Sequence, residues 1–148
     1  FERKKLSFSV QQNISTADQK LLIAGVMLYW GEGSKWAGER SVDFANINPK
    51  MILVFLKFLR TVCGVSETRL RCYLYCYSNQ SVHTLITFWS KITGISKGQF
   101  TRPYIRKDFD RKKIGRMPYG LVHIRYSDKK LLFLLRKWME EIPQKLIG

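Results

Sequence analysis

The sequence predicts an α+β domain in which helices cover one face of a mixed antiparallel sheet. Strict alternation of polar and apolar residues in TRLRCYLYCYS, residues 68–78, is typical of a strand with one buried face. Three other segments carry apolar residues at helical spacing and end at glycine. Helical and strand-like segments are interleaved along the whole chain, which favours one domain at residues 16–148.

The composition favours a nucleic-acid partner. The chain has 148 residues, 45% of them hydrophobic, which is enough for one core. Lysine and arginine number 26 against 11 acids, for a formal charge of +15. Such a charge attracts polyanions. A membrane surface is the weaker alternative, because the basic residues are spread over several elements.

No apolar run approaches the roughly 18 residues that span a bilayer, so no membrane segment is predicted. The chain begins at Phe1 rather than Met and shows no signal-peptide pattern, so we expect a segment of a longer chain. A DNA-containing intracellular compartment, such as the prokaryotic cytoplasm, is expected.

The first helix follows a polar, basic stretch, Phe1–Ser15, which is predicted to be an arm or linker. Thr16 and Gln19 are predicted to form a capping box at its start. Gly31 and Gly33 are predicted to end it. Its apolar positions are Leu21, Ala24, Gly25, Leu28 and Tyr29.

The segment ERSVDFANINPK predicts a short strand, Ser41–Asn46, followed by a second helix. Asn48 is a good N-cap and Pro49 suits the first helical position. Gly64 is predicted to end this helix. Its apolar stripe is Ile52, Phe55, Leu56, Leu59 and Cys63.

The alternating strand at residues 68–78 has one face for the core and one that is basic and aromatic. Leu70, Cys72, Leu74 and Cys76 are predicted to point inwards, and Arg69, Arg71, Tyr73, Tyr75 and Tyr77 outwards. A third helix is predicted at Val82–Thr93, ending at Gly94. Its inward residues are Leu85, Ile86 and Trp89.

The C-terminal part predicts two more strands and a last helix. QFTRPYIRK is a strand that Pro103 confines to an edge or bulge. A charged loop, DFDRKKIGRMPYG, leads to a strand at Gly120–Ser127. A helix capped by Ser127 is predicted from Asp128 to about Ile142. Its core residues are Leu131, Leu132, Leu135, Trp138 and Met139.

Glu32 stands at the C-terminal end of the first helix, where the helix dipole disfavours a carboxylate unless a cation answers it. One interpretation is a solvated residue just beyond a glycine cap. The other depends on small Ala24, Gly25 and Gly31, which permit close approach of a second copy of the helix. Two Glu32 carboxylates would then converge around divalent cations that take oxygen ligands and activate water near a phosphate.

Three segments resemble LAGLIDADG homing endonucleases. AGVMLYWGEGSK resembles the motif helix of that family, in which an acidic residue between small residues ends the helix. VDFANINPKMILVFLKFLRTVCGV is similar to the strand and helix that follow, and VHIRYSDKKLLFLL to the closing strand and helix. The resemblance covers about Leu21–Glu141 in the right order. Glu replaces the commoner Asp, and Met27 stands where the motif has glycine.

The resemblance implies a saddle-shaped sheet that straddles double-stranded DNA, with a homodimer formed through the single motif helix. It implies Mg²⁺-dependent double-strand cleavage, with Glu32 and the carbonyl of Gly31 as metal ligands. Relatives that kept the fold as transcription regulators make a non-catalytic DNA-binding regulator the alternative, and RNA binding is a third. The implied dimer contacts are Leu21, Ala24, Gly25 and Leu28.

The polar strand faces supply the predicted DNA contacts, since arginine binds guanine or phosphate and tyrosine offers a hydroxyl and an apolar plane. The alternative is a solvated strand face with ordinary cross-strand pairs. Arg125 is the candidate for stabilising charge on the reacting phosphate. The predicted DNA contacts are Lys35, Arg40, Arg69, Arg71, Tyr73, Tyr75, Arg102, Tyr104, Arg106, Arg111, Lys112, Lys113 and Arg116.

The cysteines and histidines are assigned no functional role. Cys63, Cys72 and Cys76 are odd in number and lack a paired CxxC spacing, so buried free thiols are predicted rather than disulfides or zinc. His83 and His123 lack the close spacing of a zinc site.

Overall fold

The computed structural model describes residues 7–11, 13–107 and 115–148, and these form an α+β fold, as predicted. Two short 3₁₀ turns, Glu67–Arg69 and Lys97–Gln99, accompany the regular elements. In chain order these elements are α1 (Thr16–Glu32), β1 (Val42–Asn46), α2 (Pro49–Thr61), β2 (Arg71–Tyr77), α3 (Val82–Thr93), β3 (Tyr104–Arg106), β4 (Leu121–Tyr126) and α4 (Lys129–Ile147).

The four strands form one mixed sheet in the order β1-β4-β2-β3. β4 pairs antiparallel with β1 and with β2, and β3 pairs parallel with β2. The strand β3 lies at the edge of the sheet, as predicted, and Pro103 comes just before it. Beyond β1, Gly33 forms an isolated antiparallel bridge with Phe44, so the end of α1 lies beside that edge.

The helices cover one face of the sheet, and the core lies between them. Alternate strand residues, such as Phe44, Leu74 and Ile124, are fully buried in a single cluster with residues from all four helices. Phe44 stacks on Phe55 of α2, with ring centroids 4.3 Å apart. Every second residue of β1, β2 and β4 therefore points away from the helices, and we call that side the free face.

The helix boundaries differ from the sequence prediction where a neighbouring residue makes the better cap. The hydroxyl of Ser15, not Thr16, accepts the backbone N–H of Asp18 at the start of α1. The carboxylate of Asp128, not Ser127, accepts the N–H of Leu131 at the start of α4. Asn48 caps α2 as predicted.

Helix α4 continues to Ile147, past the predicted end near Ile142. Pro143 lies inside this helix, although proline removes one helical hydrogen bond. Ile142, at the end of the predicted range, is buried in the core cluster, so the helix is still packed against the domain where the added turn begins.

Residues 7–11 pack against the domain, although they belong to the segment predicted as an arm. The N–H of Ser9 donates to the carbonyls of Cys63 (3.1 Å) and Gly64 (3.2 Å). The hydroxyl of Tyr126 donates to the carbonyl of Ser7, and Phe8 packs against the core. Residues 1–6 and 12 of the predicted arm lie outside the described residues.

Packing within the chain explains why residue 25 is a glycine. A Cβ built on Gly25 would lie 2.1 Å from Cγ of the buried Phe58 on α2. Gly25 is itself buried. The structure therefore places Gly25 in the α1–α2 contact rather than on the surface expected for a dimer contact.

The three thiols are free and buried, as predicted. Burial raises the pKa of Cys72 to about 12, and it also raises the pKa of Cys63 and of Cys76. The thiols are therefore protonated at neutral pH and poor nucleophiles. Within residues 7–11, 13–107 and 115–148, no helix combines the length and apolarity needed to cross a bilayer.

Candidate nucleic-acid interface

The strand register arranges the free face in rows. Arg125 of β4 lies directly between Asp43 of β1 and Arg71 of β2. In the next row His123 lies opposite Tyr73, and in the third Tyr75 lies between Leu121 and Tyr104. Paired residues share a face of the sheet. In these three rows the free face therefore presents two arginines and three tyrosines from β2, β3 and β4.

Aromatic contacts hold these side chains in defined positions. Tyr75 and Tyr104 stack with centroids 5.0 Å apart and an interplanar angle of 11°. The guanidinium of Arg125 lies 4.8 Å from the centroid of the Tyr73 ring, and the His123 ring meets that ring edge-on at 5.5 Å. Such contacts lower the entropy that these side chains would lose on binding a partner.

Asp43 contacts two basic side chains on the free face, His123 and Arg125. Its Oδ1 lies 2.8 Å from Nδ1 of His123, and its Oδ2 accepts a hydrogen bond from Nε of Arg125 at 3.1 Å. Burial raises the pKa of Asp43, but the hydrogen bond and charge of His123 and those of Arg125 outweigh burial and hold the pKa below its ordinary 3.8. Because an ionised carboxylate only accepts, Nδ1 of His123 carries the proton in this contact.

Six of the thirteen predicted DNA contacts lie on or beside the free face. Arg71 and Tyr104 are exposed and Tyr73 and Tyr75 are half-buried. Arg102 is exposed just before β3, where the sequence had placed it within the strand. Arg106 shares the side of Tyr104 along β3. Arg40 and Arg116 are exposed on connecting segments, and Arg111, Lys112 and Lys113 lie outside the described residues.

Arg69 does not lie on the free face, contrary to the strand pattern. It belongs to the 3₁₀ turn before β2, which begins only at Arg71. Its guanidinium donates to the carbonyl of Ser127 and lies 5.4 Å from the centroid of the Tyr126 ring. Arg69 therefore joins the start of β2 to the end of β4.

A lysine of the same chain contacts the carbonyl groups at the end of α1. Nζ of Lys35 donates to the carbonyls of Trp30 (2.8 Å) and Gly33 (3.1 Å). This lysine neutralises the negative end of the helix dipole, where the sequence suggested a metal ion. Lys35 is thus engaged within the chain as well as exposed, and Glu32 is exposed beside it.

The residues expected to hold Mg²⁺ provide oxygen ligands but not an enclosed site. Glu32 and Gly31 are both exposed at the end of α1. Carboxylate and carbonyl oxygens suit Mg²⁺, which also keeps several waters. Across the described residues, no group of three His, Cys, Asp or Glu side chains could hold a metal. The donor set of one chain fits a metal only if a second copy or a phosphate completes it.

The outer side of α1 is apolar and partly uncovered. Ala24, Met27 and Leu28 line a shallow groove of about 440 Å³ with residues of α2, among them Val54, which is 39% exposed. Leu21 packs against the core and is half-buried. A helix that is apolar on its buried side and also on its outer side is typical of one with a second packing partner.

A built Cβ on Gly31 meets no atom within 4 Å, so packing inside the chain does not require a glycine there. The two glycines of α1 therefore differ. The ring of Phe58 leaves no room for a side chain at Gly25, whereas Gly31 has open space around it.

No protein-family model matches the chain, and neither a curated protein nor a solved structure matches it. The interpretation of the site therefore depends on its own residues.

Asp43 and His123 are members of the site that the sequence analysis did not select. Each lies between two buried residues on a strand, Val42 and Phe44 in one case and Val122 and Ile124 in the other. In both VDF and VHI, a polar residue between two apolar ones was therefore a signal that the polar side chain lies on the free face. Their contact joins residues 80 apart and depends on the β1–β4 register.

Proposed function

We propose that this chain is a DNA-binding domain that applies the free face of its sheet to double-stranded DNA. The observation that carries the proposal is a sheet face left uncovered by the helices and lined by Arg71, Arg125, Tyr73, Tyr75 and Tyr104. A pair of strands fits the major groove, where arginine reads guanine and holds phosphate. The formal charge of +15 adds attraction to any duplex.

We propose that two copies associate through α1. The groove beside Ala24, Met27 and Leu28 gives an apolar surface for the contact, and the space at Gly31 allows close approach of a partner helix. Replacing Ala24 with Leu should fill this surface and weaken the dimer. Sedimentation at micromolar concentration, with and without DNA, measures the effect, and a wild type that stays monomeric in both would refute the dimer.

The leading activity is Mg²⁺-dependent cleavage of both DNA strands by this dimer. Glu32 and the carbonyl of Gly31 from each copy would hold the metal, which supplies a nucleophilic water and stabilises the leaving oxygen. Arg125 would place a positive charge near the phosphate, with Asp43 fixing its guanidinium through Nε. The aromatic and arginine residues of the free face would position the duplex.

A non-catalytic DNA-binding regulator is the alternative, and the contact made by Lys35 favours it. This lysine already neutralises the carbonyls at the end of α1, so Glu32 needs no metal to be tolerated there. The two functions share the free face and differ in whether Glu32 and the carbonyl of Gly31 hold a metal at the end of α1.

Binding is tested by comparing Arg71→Ala with Lys91→Ala on duplex DNA by fluorescence anisotropy. Both variants lose one exposed positive charge, but Lys91 belongs to α3 on the helical side. Arg71→Ala should weaken binding and reduce the slope of log affinity against log salt by about 0.9 if it holds a phosphate. If it reads a base, it should instead lose about 1–3 kcal/mol at one base pair. Equal, small losses in both variants would refute the proposed interface.

Cleavage is tested with Glu32→Gln and the matched variant Glu140→Gln, whose glutamate is exposed on α4. With Mg²⁺, wild type and Glu140→Gln should cut a bound duplex, and Glu32→Gln should bind but not cut. Ca²⁺ in place of Mg²⁺ is the metal control. Tight binding by wild type with no cut on any bound site would leave the regulator as the function.

A further inference from the structure

The free face contains a group of incompletely balanced charges at the end where β2 begins and β4 ends. Arg71 and Arg125 are direct cross-strand partners, and like charges in such pairs repel. Asp43 is the acid that contacts Arg125 and His123 on this face. One carboxylate against two guanidinium groups leaves one positive charge, or two when His123 is protonated. An anion bound between the arginines would relieve that repulsion.

The groups in this cluster keep donors for a ligand. Arg125 uses Nε on Asp43, and Arg71 uses Nη1 on the carbonyls of Thr68 and Leu70, each at 2.8 Å. A guanidinium has five N–H donors, so both arginines retain donors beyond these contacts.

His123 is held in one orientation by Asp43. Its Nδ1 contacts the carboxylate, and no hydrogen bond within the described residues involves its Nε2. The described part of the chain has no buried side-chain nitrogen or oxygen without a partner, so Nε2 reaches solvent. The His123 side chain is 23% exposed. Protonation of the ring turns Nε2 into a donor and adds one positive charge.

We propose that Arg71, His123 and Arg125 form a binding site for one phosphate of the nucleic-acid backbone. In this site Asp43 is the positioning residue, and protonation of His123 strengthens the binding. The inference rests on the proposed DNA-binding function and adds a pH-dependent contact to it. The titratable and charged groups around His123 are Asp43, which contacts it from β1, and Tyr73, which lies opposite it on β2. Arg125 follows two residues later on its own strand, and Arg71, the partner of Arg125, is its diagonal neighbour on β2.

The chain offers a matched control, because its two histidines lie on different sides of the fold. His83 is exposed on α3, on the helical side of the sheet. His123→Gln and His83→Gln make the same change, and only the first removes a group from the free face. Circular dichroism at each pH shows that the variants are folded.

The test is the salt dependence of duplex binding at pH 5.5 and at pH 8. Wild type and His83→Gln should bind more tightly at pH 5.5 than at pH 8. Their slope of log affinity against log salt should be steeper at pH 5.5 by up to about 0.9 per protomer, because protonation adds one cation to the site. His123→Gln should show the same slope at both pH values. Equal steepening in His123→Gln and wild type would overturn the proposal.

The positioning role of Asp43 is tested with Asp43→Asn. A purely electrostatic role predicts tighter binding at both pH values, since a negative charge is lost. The positioning role predicts that the pH dependence of the salt slope decreases and that ring ¹⁵N shifts of His123 show a changed tautomer at pH 8. Unchanged ring shifts together with unchanged pH dependence would overturn this role.

Inorganic phosphate, followed by NMR of the histidine rings, tests the site without DNA. Saturable shifts at His123 with none at His83 support the site even if wild type binds no duplex, a result that would count against the proposed function alone. Absent shifts, or equal shifts at both rings, overturn the phosphate site even if duplex binding is tight.

Discussion

Substituting each glycine of α1 by alanine should change stability in opposite directions. At Gly25 the new Cβ would lie 2.1, 2.2 and 2.4 Å from Cγ, Cδ1 and Cδ2 of Phe58. Carbon atoms pack at about 3.5–4.0 Å, so the ring would have to move by more than about 1 Å. Phe58 is fully buried and lies 5.7 Å from Phe55 and 6.1 Å from Trp138, measured between ring centroids. Its displacement would therefore disturb these neighbours.

The magnitude follows from two opposed effects. Overpacking a filled core costs about 1–3 kcal/mol, and a buried ring between two aromatic neighbours favours the upper end. Alanine returns about 1 kcal/mol of helix propensity. The free energy of unfolding should therefore fall by about 2 kcal/mol in Gly25→Ala. At about 2–4 °C per kcal/mol for a domain near this size, Tm should fall by about 4–8 °C.

Gly31→Ala is the matched change, in the same helix and with no atom within 4 Å of the new Cβ. Only the propensity gain remains, so the free energy of unfolding of the monomer should rise by up to about 1 kcal/mol. If two copies of α1 meet closely at Gly31, the same variant should form a weaker dimer. Stability and association would then change in opposite directions.

The assay is urea denaturation at low protein concentration, followed by circular dichroism, with sedimentation for the association. A Gly25→Ala variant as stable as wild type would refute the packing argument. A destabilised Gly31→Ala monomer would show that the end of α1 is packed within the chain. Unchanged sedimentation of Gly31→Ala would remove Gly31 from the proposed dimer contact.

Three further predictions concern local contacts. The pKa of Asp43 is held below 3.8, so its ionisation stabilises the fold above that pH and this contribution is lost as pH falls through the lowered value. The stability gap between wild type and Asp43→Asn should shrink from pH 5 to pH 2, and a constant gap in urea titrations contradicts this. Lys35→Met should lower the free energy of unfolding by about 0.3–1 kcal/mol at low salt and by less at about 1 M NaCl, where the helix dipole is screened. A loss of stability that does not depend on salt would contradict a dipole effect. In the same titrations, Gly64→Ala should lower the free energy of unfolding more than Gly94→Ala. Both glycines have positive φ, but only at Gly64 would a Cβ lie 2.3 Å from the carbonyl oxygen of Ser9. Equal losses in the two variants would contradict the docking of residues 7–11.

Much of the architecture was predictable because its signals are local. The bounds of α3 agree with the prediction, since Ser81 caps its start and Gly94 adopts the left-handed conformation at its end. Asn48 and Pro49 began α2 as expected. The errors at α1 and α4 came from adjacent polar residues that are equally able to cap, a choice that depends on which side chain reaches the free N–H groups.

The alternation of residues 71–77 determined which side of β2 would be buried, because side chains of a strand alternate between the two faces of a sheet. It did not determine which residues of other strands would lie beside Arg71. That depends on register, and shifting β4 by one residue would turn His123 and Arg125 to the other face.

By itself, the sequence determined the α+β class, the positions of the strands and helices within a few residues, the buried thiols and the large positive charge. Only the tertiary structure decided that Asp43 meets His123 and Arg125, which lie 80 and 82 residues further along the chain. It also decided that Gly25 serves the contact with Phe58 while Gly31 does not. Periodicity and capping involve residues within a few positions of each other, whereas these contacts arise from long-range packing that no local pattern records.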